Sequence, residues 1–222
     1  MEYAVHSDDR PDGQLFEVGV FTQRLRSLAG DSCDVASDEV LYVLSGSGRI
    51  EIGGESYELR PGVAVFVAAG TPWSASGDAR AISVLVHEPE PSAGHAVIDL
   101  EAVEKGTATG GRQFVLGATP DCGCASVTQF VGLVPPGRAP DHFHRYDEVI
   151  YVLDGEGVLE IGGEQAPIRP GTCIHLPRTL VHCLANTGET ELRLLGVFRP
   201  AGSPAEAYYP DGTLAVVPGS ED

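Results

Sequence analysis

Three residues in the run His142-Phe143-His144-Arg145-Tyr146-Asp147-Glu148 are donor types suited to a metal centre, at positions i, i+2 and i+6. Even separations in an extended chain put side chains on one face of a strand, so all three can point the same way. A fourth donor must come from another strand. His182 qualifies, at the start of the strand that follows the proline-bounded turn beginning at Pro177. Three neutral imidazoles and a carboxylate suit Fe, Mn, Ni, Co, Cu or Zn and leave one or two positions open on a five- or six-coordinate ion. Open positions separate a catalytic metal from a structural one. An HxH pair alone is usually surface decoration, so the case depends on what surrounds it.

The elements that must carry these residues are visible in an internal repeat. EVLYVLSGSGRIEIGGESYELRPG from Glu39 matches EVIYVLDGEGVLEIGGEQAPIRPG from Glu148 without a gap, at an offset of 109 residues. Each copy reads as a strand (Val40 to Leu44; Val149 to Leu153), a Gly-x-Gly turn and a short strand (Arg49 to Ile52; Val158 to Ile161). A Gly-Gly hairpin and a further strand follow. Two copies of a meander predict two barrels, residues 1–91 and 92–222, joined by the Pro-rich, aperiodic stretch Glu88 to His95. Asp99 is suited to cap a short helix, Leu100 to Lys105, and Ser203-Pro204 to open a single turn.

Composition agrees with an all-β chain. Of 222 residues, 28 are Gly and 16 Pro, and helix-forming runs are few. The formal charge of −18 would repel a phosphate backbone or an anionic lipid surface, which argues against nucleic acid or membrane as partners. There is no run of 18 apolar residues, and Met1 to Asp12 is acidic and polar where a signal peptide would be basic and then apolar, so a cytoplasmic location is expected. Five cysteines at no framework spacing fit a reducing compartment. Cys122-Gly-Cys124 lacks the second close pair that a structural zinc needs and reads as small residues entering a strand.

The motifs around the donors resemble those of the cupin superfamily, specifically the two-domain bicupins. The first cupin motif is present as Gly137, His142, His144, Glu148 and Gly155, with one residue fewer than usual between Gly137 and His142. The second is present as Gly171, Pro177, Thr179, His182 and Asn186, with Thr179 in place of the usual glycine. The resemblance implies two tandem double-stranded β-helix barrels with minimal helix. It implies one divalent transition metal on His142, His144, Glu148 and His182, with Asn186 structural.

Carrying the offset back to the first copy lands on Cys33, Val35, Glu39 and Trp73, so only the glutamate survives. A tryptophan in place of the last histidine would fill a cavity. Barrel one is therefore expected to be metal-free and to pack on barrel two as subunits pack in single-cupin dimers; a homodimer of the whole chain is also compatible with this pattern. Gln129, Arg138 and Tyr146 flank the ligands as candidate substrate contacts. His175 matches Phe66 in the repeat and reads as packed. Tyr42 and Tyr151 also read as packing, whereas His6, His87 and His95 read as surface residues.

The resemblance implies an enzyme acting on a small oxygenated substrate. Among cupin reactions a dioxygenase is favoured, because no separate acid–base motif accompanies the donor set. Isomerase, lyase or decarboxylase chemistry is the alternative, and a binding module without turnover is a third reading. The absence of a helical DNA-binding segment weighs against a regulator. Glu148 is also the candidate proton shuttle.

Overall fold

The computed structural model describes residues 3–6 and 13–215. Strands dominate, and helix among the described residues is limited to two 3₁₀ turns, Thr109–Gly111 and Pro120–Cys122. Both copies of the repeat form the predicted meander. The first runs Ser37–Ser45, Gly48–Ile52, Glu55–Leu59 and Val63–Val67; the second runs Asp147–Asp154, Gly157–Ile161, Glu164–Ile168 and Thr172–Leu176. Gly53 and Gly54 (φ 62° and 86°) and Gly162 and Gly163 (φ 59° and 85°) supply the consecutive left-handed residues that two-residue hairpins require.

The chain divides into two compact units. One comprises Asp8–Val103 and Gly117–Gln129. Its six-stranded sheet runs in the order His95–Asp99, Val63–Val67, Ser37–Ser45, Arg80–His87, Phe21–Ser27, Gly13–Val18, and its four-stranded sheet in the order Gly30–Ser32, Trp73–Gly77, Gly48–Ile52, Glu55–Leu59. Leu41, Val43 and Val65 of the first sheet share a core with Ile50, Ile52, Leu59 and Trp73 of the second. The other unit comprises Met1–Ser7, Glu104–Leu116 and Phe130–Asp222. Its larger sheet has Asp147–Asp154 between Thr172–Leu176 and Leu192–Arg199, and its smaller one has Gly157–Ile161 between Glu164–Ile168 and Cys183–Asn186. Ile150, Val152, Ile174 and Leu194 pack there against Leu159, Ile168 and Leu184. Each unit is thus two antiparallel sheets closed over one apolar core, as the doubled repeat demands.

This division differs from a single cut at residue 92. His95–Asp99 pairs with Val63–Val67, which satisfies its backbone within the first barrel. Residues 117–129 belong to that barrel too, with Gln129 donating from Nε2 to the Leu41 carbonyl at 3.1 Å. The expected helix over Leu100 to Lys105 is absent. Asp99 instead holds a turn, accepting from the Glu101 backbone at Oδ1 (3.2 Å) and from Ala102 N at its carbonyl (3.0 Å). The turn expected near Ser203-Pro204 is present, closed by Glu206 N donating to the Ser203 carbonyl at 3.0 Å.

His87 and His95 are not the surface residues that their isolation in sequence suggested. Both are half-buried, His87 hydrogen-bonded to Thr22 (2.8 Å) and Ser37 (2.9 Å), and His95 to Tyr57 (3.1 Å). The His6 side chain lies outside the described residues. Tyr42 and Tyr151 are buried and His175 is half-buried. All five cysteines are free thiols; Cys124 is buried, and Cys122 is half-buried at the end of the turn Pro120–Cys122, its Sγ donating to the Thr119 carbonyl at 3.1 Å. No helix among the described residues is long and apolar enough to cross a membrane.

Candidate metal centre

His142 and His182 face each other across an isolated antiparallel bridge, His142 N donating to the His182 carbonyl at 3.0 Å and His182 N to that of His142 at 2.8 Å. His144 lies just before the bend at residues 145–146 that leads into Asp147–Asp154. The even spacing of the three motif donors along one strand is therefore not what brings them together. The strand begins only at Asp147, and His144 is held by its backbone, its carbonyl accepting from Thr179 N at 2.7 Å. Thr179 sits at φ 66°, the left-handed position that the motif's usual glycine would occupy without strain. Thr179→Gly is accordingly expected to raise stability by about 0.5–1 kcal/mol, read from urea unfolding midpoints at unchanged slope.

One ring nitrogen from each of His142, His144 and His182 lies within 4.8 Å of the others. The ring centroids are 4.6 Å (142 to 182), 5.0 Å (142 to 144) and 5.3 Å (144 to 182) apart. Each Nδ1 is within hydrogen-bonding distance of a backbone carbonyl: Pro140 at 3.0 Å, Glu206 at 2.9 Å and Leu180 at 2.9 Å. A carbonyl only accepts, so each Nδ1 carries the proton and each Nε2 keeps its lone pair. Burial is the main reason the three rings resist protonation. It pulls His142 down to about 2, aided by His182 and Arg112, His144 to about 3, aided by His182, and His182 to about 4. Three neutral imidazoles with their outer nitrogens tied to the backbone are the donor set of a first-row transition ion, so the residues present fit the group that the resemblance implies.

Glu148 is 3% exposed, lines the same cavity, and lies outside the close trio. Burial pushes its carboxyl up to about 8 against the pull of Arg112. Gly196 makes room for it, since a β-carbon there would stand 2.8 Å from Glu148 Oε1 and 2.3 Å from the Phe130 ring. Tyr146 is buried in a stack, 4.6 Å from His144 and 3.8 Å from Phe198 between ring centroids, and it borders the cavity. Gln129 and Arg138 do not border it. Gln129 is buried within the first barrel, and Arg138 is exposed and paired with Glu160 (2.7 Å) and Asp141 (2.6 Å). Asn186 is buried, Nδ2 donating to the Val134 (2.8 Å) and Thr190 (2.7 Å) carbonyls and Oδ1 accepting from Gly188 N (2.9 Å).

Two contributions escaped the sequence reading. Arg112 follows the left-handed pair Gly110-Gly111, donates from Nε to the Thr109 carbonyl at 2.8 Å, and places Nη1 3.3 Å from His142 Nε2. The Gly-Gly pair signals a tight turn, but nothing in spacing links residue 112 to residue 142. The second is the C-terminal segment. Glu206 supplies the carbonyl that fixes His144, Pro204 borders the cavity, and Tyr208 bridges to Phe143 through paired 2.9 Å backbone hydrogen bonds. Ending the chain at Gly202 is expected to weaken divalent-cation affinity about ten- to hundredfold with strand content unchanged, measured by competition with a chromogenic chelator and by far-ultraviolet circular dichroism.

In the first barrel the corresponding positions are differently used. Glu39 accepts from Arg26 at 3.1 Å and from Ser83 at 2.5 Å, and the Arg26 guanidinium lies 5.0 Å over Trp73, itself 4% exposed in the core. Cys33 and Val35 are exposed.

A family model described as cupin domain matches residues 34–86 and 130–198, more than half of the chain, and the chain belongs to that family. It is 28% identical over 101 residues to the polyketide synthase CurC of Streptomyces cyaneus, covering 45% of this chain and 66% of that protein. It is 34% identical over 77 residues to an L-ectoine synthase of Aliivibrio fischeri, covering 34% of this chain and 60% of that one. The matches therefore span less than two thirds of these relatives' own length. A Bacillus subtilis oxalate decarboxylase variant superposes with a TM-score of 0.71 over 90% of this chain and 78% of the other, at 13% identity, which is a likeness of fold.

Proposed function

We propose that the second barrel is the catalytic unit of a metal-dependent enzyme acting on a small oxygenated organic molecule. One observation carries this reading: three neutral imidazoles, His142 and His182 buried and His144 half-buried, whose outer nitrogens are each committed to a backbone carbonyl. His142, His144 and His182 would hold the ion, with Glu148 as fourth donor and barrel one left metal-free. Bound there, a divalent transition metal supplies Lewis acidity toward a carbonyl, enolate or carboxylate oxygen and, when redox-active, activation of dioxygen. Phe114, Phe130, Leu133 and Leu194 give the cavity an apolar wall that excludes water from the reacting group. The cavity measures about 60 Å³, which suits a compact ligand.

The dioxygenase reading is tested by oxygen uptake from the metal-reconstituted protein over a panel of 1,3-diketones, enols and hydroxy acids. Uptake with any of them supports it. A second reading, isomerase, lyase or decarboxylase, is favoured by Glu148, whose carboxyl, raised to about 8, holds a proton at neutral pH where a substrate carbon could receive it. Turnover without oxygen uptake would move the assignment to it. Binding without turnover across the panel would overturn both.

A further inference from the structure

We infer that Arg112 is an anchor for an organic anion, a carboxylate or enolate, in the cavity of the second barrel. The inference rests on the reading that the histidine trio holds a divalent cation, and it adds the charge class of the substrate.

Charge and geometry carry it. The guanidinium borders the same cavity as His142, His144, Glu148 and His182, and Nη1 stands 3.3 Å from the very nitrogen of His142 that would hold the cation. Nε donates to the Thr109 carbonyl at 2.8 Å and Nη1 to His142 Nε2 at 3.3 Å, which together fix the plane of the group at the edge of the cavity. Among the described residues no carboxylate oxygen comes within the 4.0 Å of an ion pair with Arg112. A guanidinium withdrawn from bulk water without a paired anion is costly, and the cost is recovered only when a ligand supplies the negative charge.

A divalent cation at the trio sharpens the demand. Even with Glu148 fully ionised, the cation and Arg112 together exceed the protein's negative charge in the cavity by two. Two positive centres beside one imidazole nitrogen repel, and an anion is what reconciles them. The guanidinium fork matches a carboxylate with two parallel donors, whereas a neutral carbonyl ligand would leave one of them unmet. The chain as a whole carries −18, so nothing in its general charge attracts an anion, and selection must come from a local group such as this.

The test uses pyruvate and its neutral counterpart pyruvamide as probes on the full chain, cation-free and loaded with Co(II), whose visible spectrum reports ligand entry independently of any turnover. The wild-type protein is expected to bind pyruvate at least tenfold more tightly than pyruvamide, with a change in the Co(II) bands. Arg112→Met removes that preference while Co(II) affinity is retained or increased, because a positive neighbour has gone; a merely structural arginine would leave the preference for pyruvate over pyruvamide unmoved. Arg112→Lys, which keeps the charge without the fork, retains part of the preference and remains informative should the methionine variant fail to fold. Equal binding of the two probes to the wild type, no binding of either, or an unchanged preference in the Lys and Met variants would overturn the inference while leaving Co(II) binding intact. Arg112-dependent pyruvate binding in a chain that takes up no Co(II) would uphold the anchor and overturn the metal reading instead.

Discussion

Alanine in place of His182, or of His142, is expected to lower divalent-cation affinity by more than a hundredfold while leaving the barrel folded. Each substitution removes one of three lone pairs, and loss of a direct donor should exceed the ten- to hundredfold cost of losing a partner behind a donor. The fold survives because the contact tying these two residues together is made by their backbones, through hydrogen bonds of 3.0 and 2.8 Å that alanine retains. Equilibrium dialysis against Zn(II) or Co(II), with circular dichroism as the control for folding, checks both halves. Glu39→Ala serves as the comparison. It removes the glutamate at the corresponding repeat position, where Arg26 and Ser83 engage the carboxylate, and it should leave the cation content unchanged.

Glu148 is expected to govern how cation binding depends on pH. The three imidazoles are already neutral above about pH 4, so they release no protons near neutrality. The Glu148 carboxyl, raised to about 8, holds its proton until a cation displaces it. Affinity should therefore rise by up to about tenfold per pH unit from about pH 6 to 8, with close to one proton released per ion at pH 7. Calorimetry in buffers of different ionisation enthalpy measures that proton. Glu148→Gln abolishes both the release and the pH dependence.

The same shift governs the stability of the cation-free protein. Between an unfolded value near 4.5 and the folded value of about 8, the native state binds the extra proton, so stability falls as pH rises through this window. The histidines act in the opposite direction but only below their ordinary value of 6.5. From pH 6.5 to 8 the carboxyl acts alone, and a loss on the order of 2 kcal/mol is expected in thermal or urea unfolding. Glu148→Gln should flatten that segment. A flat profile in the unsubstituted chain would show that Glu148 is ionised throughout.

Much of this architecture was legible because the repeat is gapless where it matters. Glu39 and Glu148, the two Gly-Gly hairpins and the two meanders follow from aligning the chain on itself, and the hairpin glycines have the backbone angles their sequence demands. The grouping of His142, His144 and His182 was legible from donor type and motif, although even spacing along a strand is not what assembles it. Alternation assumes a strand, and the chain bends at residues 145–146; the bridge to His182 and the hydrogen bond from Thr179 do the positioning instead. What local patterns could not show was long-range. Arg112 reaches His142 across 30 positions, and Glu206 reaches His144 across 62. Neither pairing has a periodicity to betray it. The excursion of residues 117–129 back to the first barrel was hidden for the same reason, as was the pairing of His95–Asp99, because a short strand joined by a Pro-rich connection looks like linker until its partner is known.

A single divalent transition ion held by the second barrel would be counted by elemental analysis of the unsubstituted chain after reconstitution and gel filtration, with protein quantified by amino-acid analysis. One equivalent per chain is expected, removed by His142→Ala or His182→Ala. Two equivalents would contradict the assignment of barrel one as metal-free, and no retained metal would contradict the site itself.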